Sequence, residues 1–378
     1  MTIRIKNNKI GYYISESLIL LFFILTAYVR LVDNNRIALT VCTLSLLISG
    51  FYNIAISIYR GNHKLLWFIL AATFFWGIGY LMRTEWHYNV NYYINSVAYM
   101  GIGYSFIYEK KNRKIYSLLY YLIGLFVLYQ LLITKIPIRG FLKDGTSYNY
   151  ISIVVMFYLC IACIVKEKNG KEIPYIDAII FLIISIVSYG RGGIATAIAF
   201  LILLLIAKAI NHNRSLKVYL IGAVGIIIAL IAGRQIYQHI LSSGIFLKFQ
   251  QMGLEGERIG IWTAFFQNAR TSIWRIIIGG NPGIFSLEGN LHNSFLQMYA
   301  TFGLIFSLAL LYWYMRFYVG ALKQKNLWLI VVATAFTLRA FTDKLLFRGY
   351  FEIVFYFFVF LGLELSEVRG KKGNNERA

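Results

Sequence analysis

The stretch from Ser188 to Ala209, SYGRGGIATAIAFLILLLIAKA, decides how the rest of the chain is read. From Ile194 to Ala207 it carries no charge, no proline and no alternation of polar with apolar side chains. That is neither an amphipathic stripe nor a half-buried strand. A membrane helix needs about 20 mostly apolar residues to cross about 30 Å of hydrocarbon, and the uncharged run that begins at Ile194 is read as the core of one such span, 194–209. The six residues before it, Ser188-Tyr189-Gly190-Arg191-Gly192-Gly193, form a polar, glycine-rich junction between two such blocks.

Working outward from this segment, the pattern repeats. Twelve spans are expected: 15–32, 37–59, 65–82, 90–108, 115–133, 149–165, 174–189, 194–209, 218–233, 291–315, 327–341 and 350–365. The 378 residues are 59% hydrophobic and 14% charged, with three prolines. Soluble domains sit nearer 45–50% apolar and about 25% charged. The expectation is an all-α polytopic membrane protein: a single integral membrane domain over 1–378, with a large outer loop at 234–290 and a cytoplasmic tail at 366–378. The tail is polar and expected to be unstructured from Gly370. The first span follows Arg4, Lys6 and Lys9, lacks a small-x-small cleavage site and is followed by more spans, so it reads as a retained helix.

Charge is the second departure, with 37 Lys and Arg against 16 Asp and Glu, a net +21. Such a balance suits nucleic acid, anionic lipid or an anionic substrate; this hydrophobicity excludes a soluble nucleic-acid binder. Cys42, Cys160 and Cys163 lie inside apolar runs, which excludes a secreted disulfide scaffold. With the amino terminus inside, the inner segments hold 22 of the 37 basic residues: the terminus itself, 60–64, 110–114, 166–171, 208–217, 316–325 and 369–377. The positive-inside rule therefore places both termini in the cytoplasm. Fifteen basic residues remain outside, five of them (Arg234, Lys248, Arg258, Arg270 and Arg275) in the 234–290 loop. Long loops translocate largely regardless of charge; the functional reading is a basic outer chamber for an anionic ligand.

Within that loop, Ile259–Ala269 reads as an amphipathic helix whose Trp262, Phe265 and Phe266 suit a membrane interface. The turn Gly279-Gly280-Asn281-Pro282-Gly283 follows. Three constellations stand out. Arg191, between Gly190 and Gly192, reads either as a phosphate clamp whose glycines allow a tight turn and close approach, or as a snorkelling arginine at a helical hairpin. Arg258, after Glu255 and Glu257, is by itself a solvated loop charge, and gains interest from sharing a compartment with Arg191. His292, in Leu291-His292-Asn293-Ser294-Phe295-Leu296-Gln297, opens an apolar span. Such polar residues at a membrane entry cost free energy unless paired or used. His292 reads as a proton acceptor, or as incidental to a cap made by Asn293 or Ser294.

Other signals are weak. Cys160-x-x-Cys163 has no second pair and reads as packing. Gly101-x-Gly103 lacks the strand–turn–helix context of a nucleotide fingerprint, and no Walker A sequence or divalent-metal carboxylate pattern occurs.

The ordered set of a glycine-flanked Arg191, Arg258-x-x-x-Trp262, a glycine-rich turn ending in Phe285, and His292-Asn293-x-x-Leu296-Gln297 resembles the O-antigen ligase and Wzy-type polysaccharide polymerase superfamily. The likeness is concentrated in 185–310, and Asn281 and Pro282 depart from its usual glycine content. The resemblance implies a C-type membrane glycosyltransferase architecture acting on undecaprenyl-diphosphate-linked glycans at the outer face of a bacterial inner membrane. It implies Arg191 and Arg258 as diphosphate ligands and His292 as the base. Asn293, Gln297, Gly190 and Gly192 would support them, without metal or other cofactor. Implied partners are the lipid-linked donor and acceptor, the bilayer, and a chain-length regulator and flippase of the same pathway.

Of the two superfamily activities, the polymerase is favoured over the ligase because polymerases vary in sequence with their glycan and the first half here matches nothing in detail. A flippase of lipid-linked oligosaccharide is the competitor of another class. It should carry cations within its spans, whereas these spans read as largely clean and the polar candidates gather at the outer face.

Overall fold

A computed structural model describes residues 9–32, 35–82, 90–134, 149–188, 190–211, 258–280, 291–346 and 349–375. Every element among them is helical: α1 (Lys9–Leu31), α2 (Arg36–Tyr59), α3 (Lys64–Met82), α4 (Val90–Tyr108) and α5 (Arg113–Leu128), which runs on into a π-helical turn (Tyr129–Ile133). There follow α6 (Asn149–Lys168), α7 (Tyr175–Val187), α8 (Arg191–Asn211), α9 (Arg258–Ala269), α10 (Ile273–Ile278), α11 (Ser294–Lys323), α12 (Leu327–Thr342) and α13 (Glu352–Asn375). Eleven of the twelve expected spans coincide with helices; the twelfth, 218–233, lies outside the described residues. Seven of these helices are long and apolar enough to cross a membrane, and α7 and α12 are apolar but shorter, at 13 and 16 residues. The described residues are thus all-helical, in the manner of a polytopic membrane protein.

The expectation of an unstructured tail from Gly370 is corrected, since the α13 backbone continues to Asn375. No proline interrupts that stretch, and a glycine in a helix costs only about 1 kcal/mol.

Burial separates the bundle's centre from its lipid-facing rim. In α6 nearly every residue from Ile151 to Val165 is buried, and in α13 every residue from Ile353 to Phe360 is. Helices apolar on all sides belong in such a centre. Rows of exposed apolar side chains mark the rim: Leu118, Leu122 and Leu125 on α5, and Ile305, Leu308 and Tyr312 on α11. In water such rows would be a liability; in hydrocarbon they are simply solvated by lipid tails.

Contacts sort the helix ends into two groups. At one end, Tyr12 donates to the Lys110 carbonyl (2.6 Å), Arg60 pairs with Glu109 (3.2 Å) and Lys64 with Glu364 (3.0 Å). Lys168 donates there to the Ile107 carbonyl (2.7 Å), and Lys208 pairs with Glu172 (3.9 Å). These are the basic segments that the sequence groups on one side. Burial pushes the Lys111 ammonium below its ordinary pKa, while the adjacent Glu109 carboxylate opposes the shift. At the other end, the Arg30 guanidinium stands 5.8 Å from the ring centroids of both Tyr150 and Tyr350. The candidate residues lie at this second end, with the starts of α8 and α11 and the finish of α12.

Candidate functional site

The site is built where α11 begins against the finish of α12. Asn293 is the N-cap of α11: its Oδ1 accepts from the amides of Phe295 (2.9 Å) and Leu296 (3.1 Å). Its Nδ2 donates to the Phe341 carbonyl (3.3 Å). Ser294 Oγ donates to the Asp343 carbonyl and accepts from the Leu345 amide, both at 2.8 Å. The two helix ends are thereby tied together, and the capping alternative is correct for Asn293. It leaves His292 just outside the helix, half-buried, with φ at +49°. Histidine is among the few side chains enriched in that left-handed region.

Gln297 follows Asn293 by one turn, so the two share a helix face. Its side chain is fully buried, and neither end of its amide has a hydrogen-bond partner among the described residues. Burying an amide in that state costs about 1–3 kcal/mol. An amide with both its donor and its acceptor ends unused is thus held one turn inside the start of α11.

Arg339, on the last turns of α12, is a residue the sequence reading missed. Its side chain is wholly buried and its Nη2 lies 3.4 Å from Asp343 Oδ2. By sequence it is only one of the fifteen outer basic residues. The available signal was a lone cation inside the otherwise apolar run 327–341, because an ionisable residue within a span is by default a functional candidate. The spans are to that extent less clean than the sequence reading takes them to be. Arg339 nevertheless sits three residues from the helix end, on the side of the other candidates.

The glycines around Arg191 require a correction. α8 begins at Arg191 itself, so Gly192 and Gly193 stand in its first turn and not in a tight loop. A side chain begun at Gly192 would collide with Arg339 Nη1, and one at Gly193 with Ser152 Oγ. Their smallness therefore seats Arg339 and Ser152 against the start of α8. Gly190 is buried just ahead of the helix and accepts from the Ile194 amide (2.9 Å). Arg191 is half-buried, beside the first-turn amides that lack intrahelical carbonyl partners.

Arg258 opens α9, half-buried, and its charge acts on the Arg339 guanidinium. One turn on, Trp262 Nε1 donates to the Leu291 carbonyl (2.8 Å), the residue before His292. Phe265 is 1% exposed and packs with Leu291, Ala300 and Tyr299. The interfacial-helix expectation is thus corrected in part: Trp262 and Phe265 face protein, and Ile259 and Phe266 face outward. α10 docks on α11 through Tyr299, which donates to the Ile276 carbonyl (2.6 Å). At Gly303, with φ of +75°, α11 kinks where Ile277 and Ile278 press against its backbone.

The structure therefore brings Arg258, Arg339, the Arg191–Gly192 start of α8 and the 291–297 segment into one neighbourhood. Arg270 is exposed at the far end of α9, and Arg275 Nη1 bonds Thr271 Oγ1 (3.3 Å) on α10. Arg234, Lys248, Asn281, Pro282, Gly283 and Phe285 lie outside the described residues. Like charges gathered in a water-poor place repel one another and favour an anion between them. An imidazole and a buried amide beside them are groups of the kind that accept a proton and orient a hydroxyl. Fold and site together define a polytopic membrane protein with a polar, arginine-rich site at one end of its helix bundle. No protein-family model and no curated protein matches this chain.

Proposed function

We propose that the chain is a polysaccharide polymerase of a bacterial inner membrane. It transfers a growing glycan from undecaprenyl diphosphate to the non-reducing-end sugar of another lipid-linked repeat unit, by metal-independent inverting transfer. The observation that carries this reading is the meeting of Arg258, Arg339 and the Arg191–Gly192 helix start with the His292–Gln297 segment at one end of the bundle. In this reading the fold is a C-type glycosyltransferase bundle of twelve spans, both termini are cytoplasmic, and the site faces outward.

As the glycosidic bond breaks, negative charge grows on the departing lipid diphosphate. Fixed guanidinium groups in a low-dielectric site stabilise that charge without rearranging. Arg191 and Arg258 are the assigned ligands, with Arg339 adding charge from behind. The attacking sugar hydroxyl is a weak nucleophile, and His292 removes its proton as it attacks, worth about 10²–10⁴-fold. Gln297 holds the acceptor, and Asn293, the cap of α11, holds the backbone in place. Attack opposite the leaving group inverts the anomeric carbon in one step, with the proton leaving on the imidazole.

The test is deletion of the gene followed by glycan profiling and complementation with His292→Ala. The polymerase reading expects terminal acceptors carrying a single repeat unit, unrepaired by the variant at normal protein level. Full-length polymer left on the lipid carrier would assign a ligase instead, and lipid-linked units trapped on the cytoplasmic face would assign a flippase.

A further inference from the structure

A second cationic site lies at the opposite, basic end of the bundle. There a cavity of about 390 Å³ opens between the starts of α5 and α7 and the finish of α6. Arg113, Lys114, Ser117 and Tyr121 line it from α5, with Lys166 and Lys171 across from them. The spacing of the α5 residues, four and then four again from Arg113, sets them in one stripe down that helix. Lys166 is engaged at the floor: it pairs with the buried Asp177, whose Oδ1 also accepts from Tyr121 Oη (2.7 Å). Among the described residues, Arg113, Lys114 and Lys171 take part in no ion pair. Glu172, at the rim, pairs with Lys208 at 3.9 Å. The amide ends of two helices, α5 and α7, add to the positive potential at the same place.

We infer that this cavity binds a phosphate group, specifically the headgroup phosphate of an anionic phospholipid. The lipid source follows from the walls. Below the cations, α5 presents Leu118, Leu122 and Leu125 and α7 presents Ile176, Ile179 and Ile183, all exposed to the hydrocarbon. A ligand held here by its phosphate would lay acyl chains along those two apolar rows. A basic cavity between membrane helices at the positively charged side suits that chemistry. The site is at the end away from His292, so binding there can be measured without the reaction proposed above.

The full-length protein, purified and delipidated in detergent, is titrated separately with phosphatidylglycerol, with phosphatidylcholine of the same chains, and with inorganic phosphate, and bound species are counted by native mass spectrometry. Phosphatidylglycerol is expected to bind at least about tenfold more tightly than phosphatidylcholine, and the Arg113→Gln/Lys171→Gln variant to lose about that factor. Arg113→Lys/Lys171→Arg, which keeps both charges, is expected to retain binding. Inorganic phosphate binding on its own, with the same loss in the charge-removing variant, would support the phosphate site but overturn its lipid source. Equal phosphatidylglycerol binding by parent and charge-removing variant, with both melting alike, would overturn the site itself.

Discussion

The Arg339 guanidinium occupies the space in which a side chain on Gly192 would begin. One helix donates a missing Cβ and another donates a buried cation to fill it. Gly192→Ala is therefore expected to displace Arg339 or the start of α8, at a cost of about 1–3 kcal/mol, with shortened glycan chains. Gly77→Ala in α3, where a new Cβ meets nothing within 4 Å, serves as the control. Thermal melting in detergent reads both. Equal melting of the two variants would show that the contact with Arg339 is without consequence.

That relationship also marks where the sequence stops being legible. Long uncharged blocks reveal spans because the bilayer demands them, and eleven of those expected coincide with helices. The pairing of basic loops at one end likewise follows from charge alone. Gly192 was visible as special, but for the wrong reason: nothing local distinguishes a glycine that turns the chain from one that makes room for a partner 147 residues away. Arg339 carries a local signal as a lone cation inside an apolar run, but its seat against Gly192 is a tertiary property that no local pattern encodes. The N-cap role of Asn293 was legible as an alternative, since an Asn before an apolar run is a helix-start signal. That the Gln297 amide has no partner among the described residues was not, because satisfaction of a polar group is a tertiary property.

The Arg339–Asp343 pair predicts an order of stabilities. Asp343→Asn removes counter-charge from a guanidinium with no exposed side-chain surface, whereas Arg339→Met leaves a carboxylate that keeps 17% exposure. Breaking a buried pair costs about 3–5 kcal/mol when the remaining charge stays buried. Asp343→Asn is expected to melt lower than Arg339→Met, while both lose polymer. If Arg339→Met made full-length chains at normal protein level, Arg339 would be structural only.

His292 combines a left-handed backbone with a titratable side chain, and the two can be separated. Asparagine tolerates φ near +49° about as well as histidine does, but cannot act as a base near neutral pH. His292→Asn is expected to melt with the parent and to make no long chains. His292→Ala should lose chains and some stability together, since alanine lacks that tolerance. Long chains from His292→Asn would leave the imidazole an orienting role and remove it as the base.

Gln297 gives the sharpest separation of stability from function. An unpartnered amide in a closed environment is a liability that an apolar side chain of similar size removes. Gln297→Leu is expected to melt at or above the parent, by as much as about 1–3 kcal/mol of added stability. If the amide is kept to bond an acceptor hydroxyl, the same variant lengthens glycan poorly, with the loss in acceptor use and not in protein level. Gln297→Glu tests the sign. A carboxylate there sits near the same arginines and the start of α11, which favour an anion, so it should compete with the donor's diphosphate and shorten chains with little loss of stability. A lower melting temperature for Gln297→Leu would mean that the amide is satisfied in the membrane and serves packing, and unaltered chain length would remove it from the site.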